Sequence, residues 1–438
     1  MCSLLFMLPV GALGQTALHY VKPHASDPWN TLLLHGGMKR NEGGWYMQLP
    51  NGIHDLLVMN YVDGYSYGPH AVWGHFNKNH SRWELEETVR WAESRNRWVA
   101  KAELRYVLPA EWQSSVSVYG GQHMEDFDEN PIMTLQQSLM ATGIFGWNSY
   151  KLLERTQAGL HMTTPVTGYL QLTGDMRWES RRSKHNSRSR NLFGKWAESN
   201  VPRIRDEADE PSLALYEGPV EAELLKASFQ LDLQRDITIY VIDDLTSLRV
   251  STEPLYSLRL EMGQGIGSRW QKMRFLSLDL GVRHTIRLNR RVDRLKYYAS
   301  CGAMIHNGEV GLADWHHLDA SRFWWQSTEG LTRFALLDNY ELSSNRWWSE
   351  LHTEWSTDYL LFTRLTRTEG FRETLQLHLA KVAGRQTHWE CQYGWDLFGQ
   401  LGLGISVGYN NIKCAGVAFS MMLNLQKVQD KLNALQGK

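Results

Sequence analysis

Between Asn345 and Phe362 the chain reads NRWWSELHTEWSTDYLLF, and Glu350, His352 and Glu354 recur at every second position. Successive side chains of a strand point to opposite faces. On a strand, then, these three share one face, while Trp347, Leu351, Thr353 and Trp355 take the other. His388 and Glu390 repeat the arrangement on a strand close by. Residues i and i+2 of a strand can ligate one ion, and imidazole with carboxylate suits zinc or another divalent metal. The same residues can also line a wet space. Mixed acidic and basic faces recur in nearly every strand-like run, which tips the reading towards a polar lining. No cofactor is called for.

Other candidate chemistry is weaker. ADWHHLD (Ala313–Asp319) puts two imidazoles and two carboxylates in a long loop, and WHHLDASRFWW carries three tryptophans. That apolar weight predicts a packed segment rather than one waving in solvent. GYSYG (Gly64–Gly68) matches G-x-S-x-G, but a nucleophile elbow needs strand–turn–helix, and here another alternating strand follows. GQGIGS (Gly263–Ser268) lacks the flanking strand and helix of a phosphate-cradling loop. His284 lies on an apolar register between Val282 and Ile286. A lipid-modifying phospholipase or acyltransferase would need a nucleophile–base pair there, and no serine and acid stand convincingly beside it. The constellation of an enzyme is missing.

The elements that position these residues have period 2 and are long. Trp83, Leu85, Val89 and Trp91 oppose Arg82, Glu84, Glu86 and Arg90; Trp98, Leu104 and Tyr106 oppose Lys101, Glu103 and Arg105. Leu172, Met176 and Trp178 oppose Asp175, Arg177 and Glu179, and Leu278, Leu280 and Val282 oppose Asp279 and Arg283. A dry core would not accept charges of both signs, strand after strand. The pattern predicts an all-β fold: a transmembrane antiparallel β-barrel of about sixteen strands. Its exterior is apolar, its lumen polar, and aromatic girdles mark the two interfaces. Arg82, Glu84, Glu86, Arg90, Lys101 and Glu103 are then lumen-lining, as are Arg105, Asp175, Arg177, Glu179, Arg283, Glu350, His352 and Glu354.

Bulk properties agree. The 438 residues carry a formal charge of −1, so no electrostatic case exists for nucleic acid as a partner. Mean hydropathy is −0.42, with 19 tryptophans and no long apolar run for a membrane helix. An apolar run ending Ala12-Leu13-Gly14 reads as a signal peptide over 1–14, although a positive n-region is missing. Residues 15–52 are expected as a periplasmic segment, 53–425 as the barrel, and 426–438 as a short helical tail. Outer membrane is the expected location, lipid the expected partner, with periplasmic or outer-membrane proteins as further candidates.

Short turns are expected at Asn77–His80, Glu93–Asn96, Thr163–Val166, Asn289–Val292, Leu342–Asn345 and Ala383–Gln386, with long outer loops at 122–152, 181–221, 305–331 and 357–370. Small inward residues of the last two strands, Gly402, Gly404, Ser406, Gly408, Gly416, Ala418 and Ser420, leave space for an inserted loop. The basic run Arg181–Lys195, followed by acidic RDEADE, reads equally as a contact for lipid phosphates and as self-compensating charge. Four cysteines show no metal spacing; Cys391 and Cys414 are read onto neighbouring strands, which would allow a bridge, but isolated thiols on apolar faces are the expected state.

Several ordered blocks carry a resemblance: VMNYVDGYSYGPH (Val58–His70), DFDENPI (Asp126–Ile132), YKLLERTQAG (Tyr150–Gly159), GYLQLTGDMRWESRR (Gly168–Arg182), GLADWHHLDASRFWW (Gly311–Trp325), LLDNYELSSNRWWSELHTEW (Leu336–Trp355) and ISVGYNN (Ile405–Asn411). Over roughly residues 30–425 the chain resembles an uncharacterised outer-membrane barrel family of Bacteroidota, a domain of unknown function usually found behind a carboxypeptidase-regulatory-like domain. The resemblance implies a barrel akin to those of outer-membrane assembly factors and two-partner-secretion transporters. It supplies no catalytic residues. It also implies a regulatory-like β-sandwich ahead of the barrel, which this sequence does not show. The expected role is non-enzymatic: envelope biogenesis, export or passage of a substrate. The alternatives are a lipid-modifying enzyme and a structural or adhesion barrel.

Overall fold

The alternating runs form one antiparallel ladder that closes into a barrel. Among the described residues its main strands are β1 (Trp45–Leu49), β2 (His70–Phe76), β3 (Arg82–Ala92), β4 (Arg97–Val107), β5 (Ser115–Asp126), β6 (Leu152–Thr167), β7 (Leu170–Ser183), β8 (Ala222–Leu233), β9 (Leu255–Gly265), β10 (Arg274–Arg287), β11 (Arg294–Asn307), β12 (Trp347–Thr357), β13 (Phe371–Val382), β14 (His388–Leu397), β15 (Leu401–Asn410) and β16 (Lys413–Leu423), and the short strands Gly37–Arg40, Leu57–Asn60, Gly64–Tyr67 and Trp325–Gln326 join the same sheet. The computed structural model describes residues 17–20, 37–40, 44–50, 56–109, 112–129, 141–148, 151–188, 193–194, 196, 198–205, 213–241, 247–288, 293–326, 331–358, 360–366, 371–397, 401–411 and 413–423. The expected signal peptide and C-terminal helix lie outside them.

Each strand pairs with its sequence neighbour, and the register explains the inverted burial. On β10, Leu276, Leu278 and Leu280 point outward and are 41%, 42% and 48% exposed, while Phe275 and Asp279 point inward. Elsewhere Val118, Leu160, Met176, Leu225 and Phe419 are bare outside, whereas Arg155, Glu179, Arg181, Lys226 and Glu390 are buried inside. A water-soluble sheet reverses this, and an apolar outer band is what hydrocarbon requires. Aromatic residues sit at both ends of the band. Trp83 against Tyr106, with Tyr169 and Tyr256, marks one rim; Trp91 against Trp98, and Trp389 stacked on Tyr409, mark the other. No helix among the described residues is long and apolar enough to cross a membrane.

The loops distribute unequally. Connections 50–69, 127–151, 184–221 and 308–346 share one rim, the long-loop rim. Loop 358–370, expected there too, lies on the opposite rim, because β12 has already crossed back. On that opposite rim Ala17–Tyr20 adds in parallel to Thr238–Val241, which pairs with Ser247–Val250.

Four further expectations are corrected. The barrel sheet begins before residue 53: β1 pairs with β2, and Gly37–Arg40 with β1. Five residues hold too few alternations to stand out in sequence. Thr163–Val166 is no turn but the end of β6, where a register shift between Pro165 and Thr167 absorbs the proline. Leu342–Asn345 ends a single connection, 308–346, rather than joining two strands. Cys391 on β14 and Cys414 on β16 are free thiols with β15 between them.

Candidate functional site: a lumen filled by residues 308–346

The described residues of the 308–346 connection, 308–326 and 331–346, fold inward instead of standing above the rim. Leu312, Leu318, Phe323, Phe334, Leu337 and Tyr340 along it are all at most 2% exposed. Its short β-bridges, His316 with Ser344 and Ala320 with Phe334, fold it on itself. Contacts fasten it around the barrel: to Asp126 of β5 through the Tyr340 hydroxyl, to β7 and β8 through Asp314, to β14 through Ala335 and Leu336, and to β16 where Trp325–Gln326 pairs with Met421–Met422. We call it the plug.

The β14 contact uses the residues first singled out for metal chemistry. One row across the inner wall runs Tyr298, His352, His378, Glu390, Gly408 and Gly416 by direct cross-strand pairing. Both carboxylate oxygens of Glu390 accept plug backbone N–H groups, from Ala335 at 2.7 Å and Leu336 at 2.9 Å. His388 Nε2 lies 2.9 Å from Glu390, His352 Nε2 lies 3.1 Å from Glu350, and the Nδ1 atoms of His352 and His378 share one hydrogen bond of 2.8 Å. The Phe334 ring stands edge-on to the imidazoles of His352, His378 and His388, with centroids 5.0–5.7 Å apart. So the structure brings Glu350, His352, His388 and Glu390 together, adds His378, and puts an apolar ring amid the imidazoles. Glu354 stands apart, bound to Lys296 and Gln376 at 2.8 Å each. Among the described residues no group of three or more His, Cys, Asp or Glu is set to hold an ion.

Leu336 completes the dock. A Cβ built on Gly408 would lie 2.6 Å from Leu336 Cδ1, and one on Gly416 would lie 3.4 Å from Cδ2. The space left by those small residues is what the plug occupies.

The opposite anchor is ionic. Asp314 takes Arg181 Nη1 and Nη2 at 2.7 and 2.8 Å and Lys226 Nζ at 3.1 Å. Arg181 also meets Glu179, and Lys226 meets Glu129 and Glu261. Burial raises the Asp314 carboxyl, but Arg181 and Lys226 outweigh it and hold it at about 2. A bidentate guanidinium–carboxylate pair is the strong form of this contact. His316, kept neutral by burial at about 3, stacks on Trp348 at 4.2 Å and 5°. Burial lifts the Asp319 carboxyl to about 7 against a lowering hydrogen bond from Thr332. A polar cavity of about 280 Å³ remains between the plug and the wall, lined by Asp279, Tyr298, Asp319, Trp348 and Glu350 among others.

The remaining ionisable wall residues form charge pairs. Arg82 meets Glu84 at 2.7 Å, Arg105 meets Glu103 at 2.8 Å, Glu86 meets His70 at 3.1 Å, and Arg177 meets Asp175 and Glu179 at 3.1 Å. Lys101 lies across from Thr88, Arg90 across from Val99, and Arg283 across from Tyr298. His284 packs edge-on against Tyr297, its rings 5.8 Å apart, the contact of a girdle residue. Gly64–Tyr67 is a strand running on into β2. Sequence reasoning missed His378, although its alternation with Leu377 and Leu379 marks it as inward. It also placed Arg181 in an outer basic loop, whereas Arg181 ends β7 and faces in.

Residues 30–395 match the model for the C-terminal domain of a family of unknown function, DUF5686. The chain belongs to the DUF5686 family. The matched DUF5686 segment includes β1 to most of β14, hence the whole plug and Glu390. No curated protein matches the chain. Similar solved structures include BamA from Haemophilus ducreyi lacking POTRA domains 1–3, at 11% identity and a TM-score of 0.43 over 83% of this chain and 69% of that one. CdiB from Acinetobacter baumannii has 11% identity and a TM-score of 0.38 over 88% of this chain and 57% of that one. Wzi, an outer-membrane carbohydrate-binding β-barrel involved in group 1 capsule assembly in Escherichia coli, has 12% identity and a TM-score of 0.35 over 88% and 76%.

Proposed function

We propose that the protein is a non-enzymatic outer-membrane barrel of a Bacteroidota envelope. Its role is the gated export or passage of an envelope substrate. The plug carries this reading. A sixteen-stranded barrel is wide enough for an aqueous channel unless something fills it. Here the filler is fastened by ion pairs and hydrogen bonds as well as by an apolar cluster that sets Leu318, Phe334 and Leu337 against Phe275, Trp348 and Val382 of the wall. The polar contacts exchange for water at small net cost. The charged faces of β3, β4 and β7 then line the path that plug displacement opens.

The test is conductance in planar bilayers, after heat-modifiability and fractionation have placed a folded barrel in the outer membrane. Replacing residues 312–342 by a short Gly-Ser linker should turn a closed protein into one with large, stable conductance. An unchanged closed trace from a folded deletion variant would sink the gated-passage reading. Soluble fractionation without a gel shift would sink the location.

A further inference from the structure

Outside the barrel, facing away from the plug, the wall of β7 to β11 carries a crevice of about 680 Å³ just below the long-loop rim. Register explains it. The outward row below the rim reads Met176, Ala227, Met262, Leu276 and Ile305 across β7, β8, β9, β10 and β11. Ala227 is the short member between two methionines, so a notch opens there. Met176, Met262 and Ile305 are 58%, 39% and 74% exposed and form its walls. Unbranched methionine side chains adapt to an irregular apolar occupant.

The row above is different in chemistry. It reads Trp178, Leu225, Gln264, Arg274 and Asn307. Arg274 is exposed on this outward register, and its Nε donates to Gln264 Oε1 at 2.6 Å. That bond orients the guanidinium, and no protein hydrogen bond is made by its two terminal nitrogens among the described residues. Trp178 is fixed likewise, its indole N–H donating to Glu223 at 3.2 Å. The turn above, SRWQKMR (Ser268–Arg274), brings Arg269 and Lys272 to the same rim. Met273, Ala222, Leu224 and Trp270 pack into one cluster beneath that turn, and Gly265 N donates to Met273 O at 2.8 Å, so the cations sit on a rigid support.

We propose that this crevice is a binding site for one anionic phospholipid, a lipid whose phosphate is not already balanced by a cationic headgroup. An acyl chain lies in the Ala227 notch between Met176 and Met262, and the phosphate meets Arg274. Charge complementarity argues for this occupant: an apolar slot continues into a fixed guanidinium at headgroup height, with an interfacial indole three strands away in the same row. A neutral lipid would use the slot and not the arginine, and a soluble protein partner would have to displace bilayer from it. The site stands apart from the gating function and would hold even if the lumen passed nothing.

Native mass spectrometry of the full chain in a non-ionic detergent tests it, with dimyristoyl phosphatidic acid and dimyristoyl phosphatidylcholine as probes. The first phosphatidic acid should bind at roughly fivefold lower concentration than phosphatidylcholine, the gain expected of one interfacial cation. Arg274→Gln should erase that preference, and Arg274→Lys should retain most of it. Ala227→Phe should weaken both lipids, and Val118→Phe, on an exposed outward site of β5, should weaken neither. All four substitutions face lipid, and a heat-induced gel shift checks that each barrel folds. Equal binding of the two probes by the unaltered chain, or an Arg274→Gln variant that keeps the preference, would overturn the proposal. So would an Ala227→Phe variant that binds both lipids normally.

Discussion

Asp314 and Arg181, 133 residues apart in sequence, meet inside the barrel through two parallel N–H···O bonds of 2.7 and 2.8 Å, with both side chains fully buried. The pair joins the plug to β7 at a point where Lys226 and Glu179 also converge. A buried ion pair adds little over an apolar pair of like size, but losing one partner strands the other charge.

Asp314→Asn should therefore loosen the plug by about 3–5 kcal/mol. The expected outcome is frequent opening in conductance traces with an unchanged barrel gel shift. The double variant Asp314→Leu, Arg181→Met should close the channel again. If the single variant stays closed, the pair does not hold the plug.

The β14 dock gives a steric test. Gly408→Val places carbon where Leu336 Cδ1 now sits, 2.6 Å from an added Cβ. The plug should then shift, and trypsin should cut the folded protein within residues 308–346. Continued resistance to trypsin would show that Leu336 can move aside without undocking.

Asp319 sets a pH dependence. Its carboxyl is raised in the folded plug to about 7 from the ordinary aspartate value of 3.8. A raised group contributes its full stability below the unfolded value, and that contribution falls away as pH rises through the folded value. Plug docking should thus be firmer at pH 5 than at pH 8, with the loss accumulating between about pH 4 and pH 7 and levelling off above it. Asp314, held at about 2, stays ionised throughout and does not contribute there. Open probability should rise between pH 5 and 7 and then level off, and Asp319→Asn should flatten the curve. A curve as steep in Asp319→Asn as in the unaltered protein would assign the effect elsewhere.

Cys301 reports on the bilayer. It is a free, exposed thiol opposite Leu280 and points outward from the middle of β11. In membranes it should react with a lipid-soluble maleimide and resist a charged, impermeant one, while in detergent both should label it. Fast labelling by the charged reagent in intact membranes would place this face in water.

Much of the fold was legible because a barrel wall is a local pattern. Alternation is set by backbone geometry alone, so Leu278 and Leu280 against Asp279, or Trp83 and Leu85 against Glu84, reveal strand, face and environment from adjacent positions. Even the space for an inserted loop showed in Gly408 and Gly416, since missing side-chain volume is written in residue type. Trp45–Leu49 stayed hidden because five residues barely define a period. Thr163–Val166 misled because Pro165 signals a turn unless a bulge accommodates it.

What the loop does in that space had no local signature. Nothing near Asp314 names Arg181, and nothing near Ala335 names Glu390, because those contacts depend on how the closed sheet curves and where the plug settles. Residue types and spacing alone determined that Glu350 and His352, and likewise His388 and Glu390, share one face of their strand. Tertiary structure decided what they meet there: the edge of Phe334, each other, and two backbone N–H groups brought in from another part of the chain.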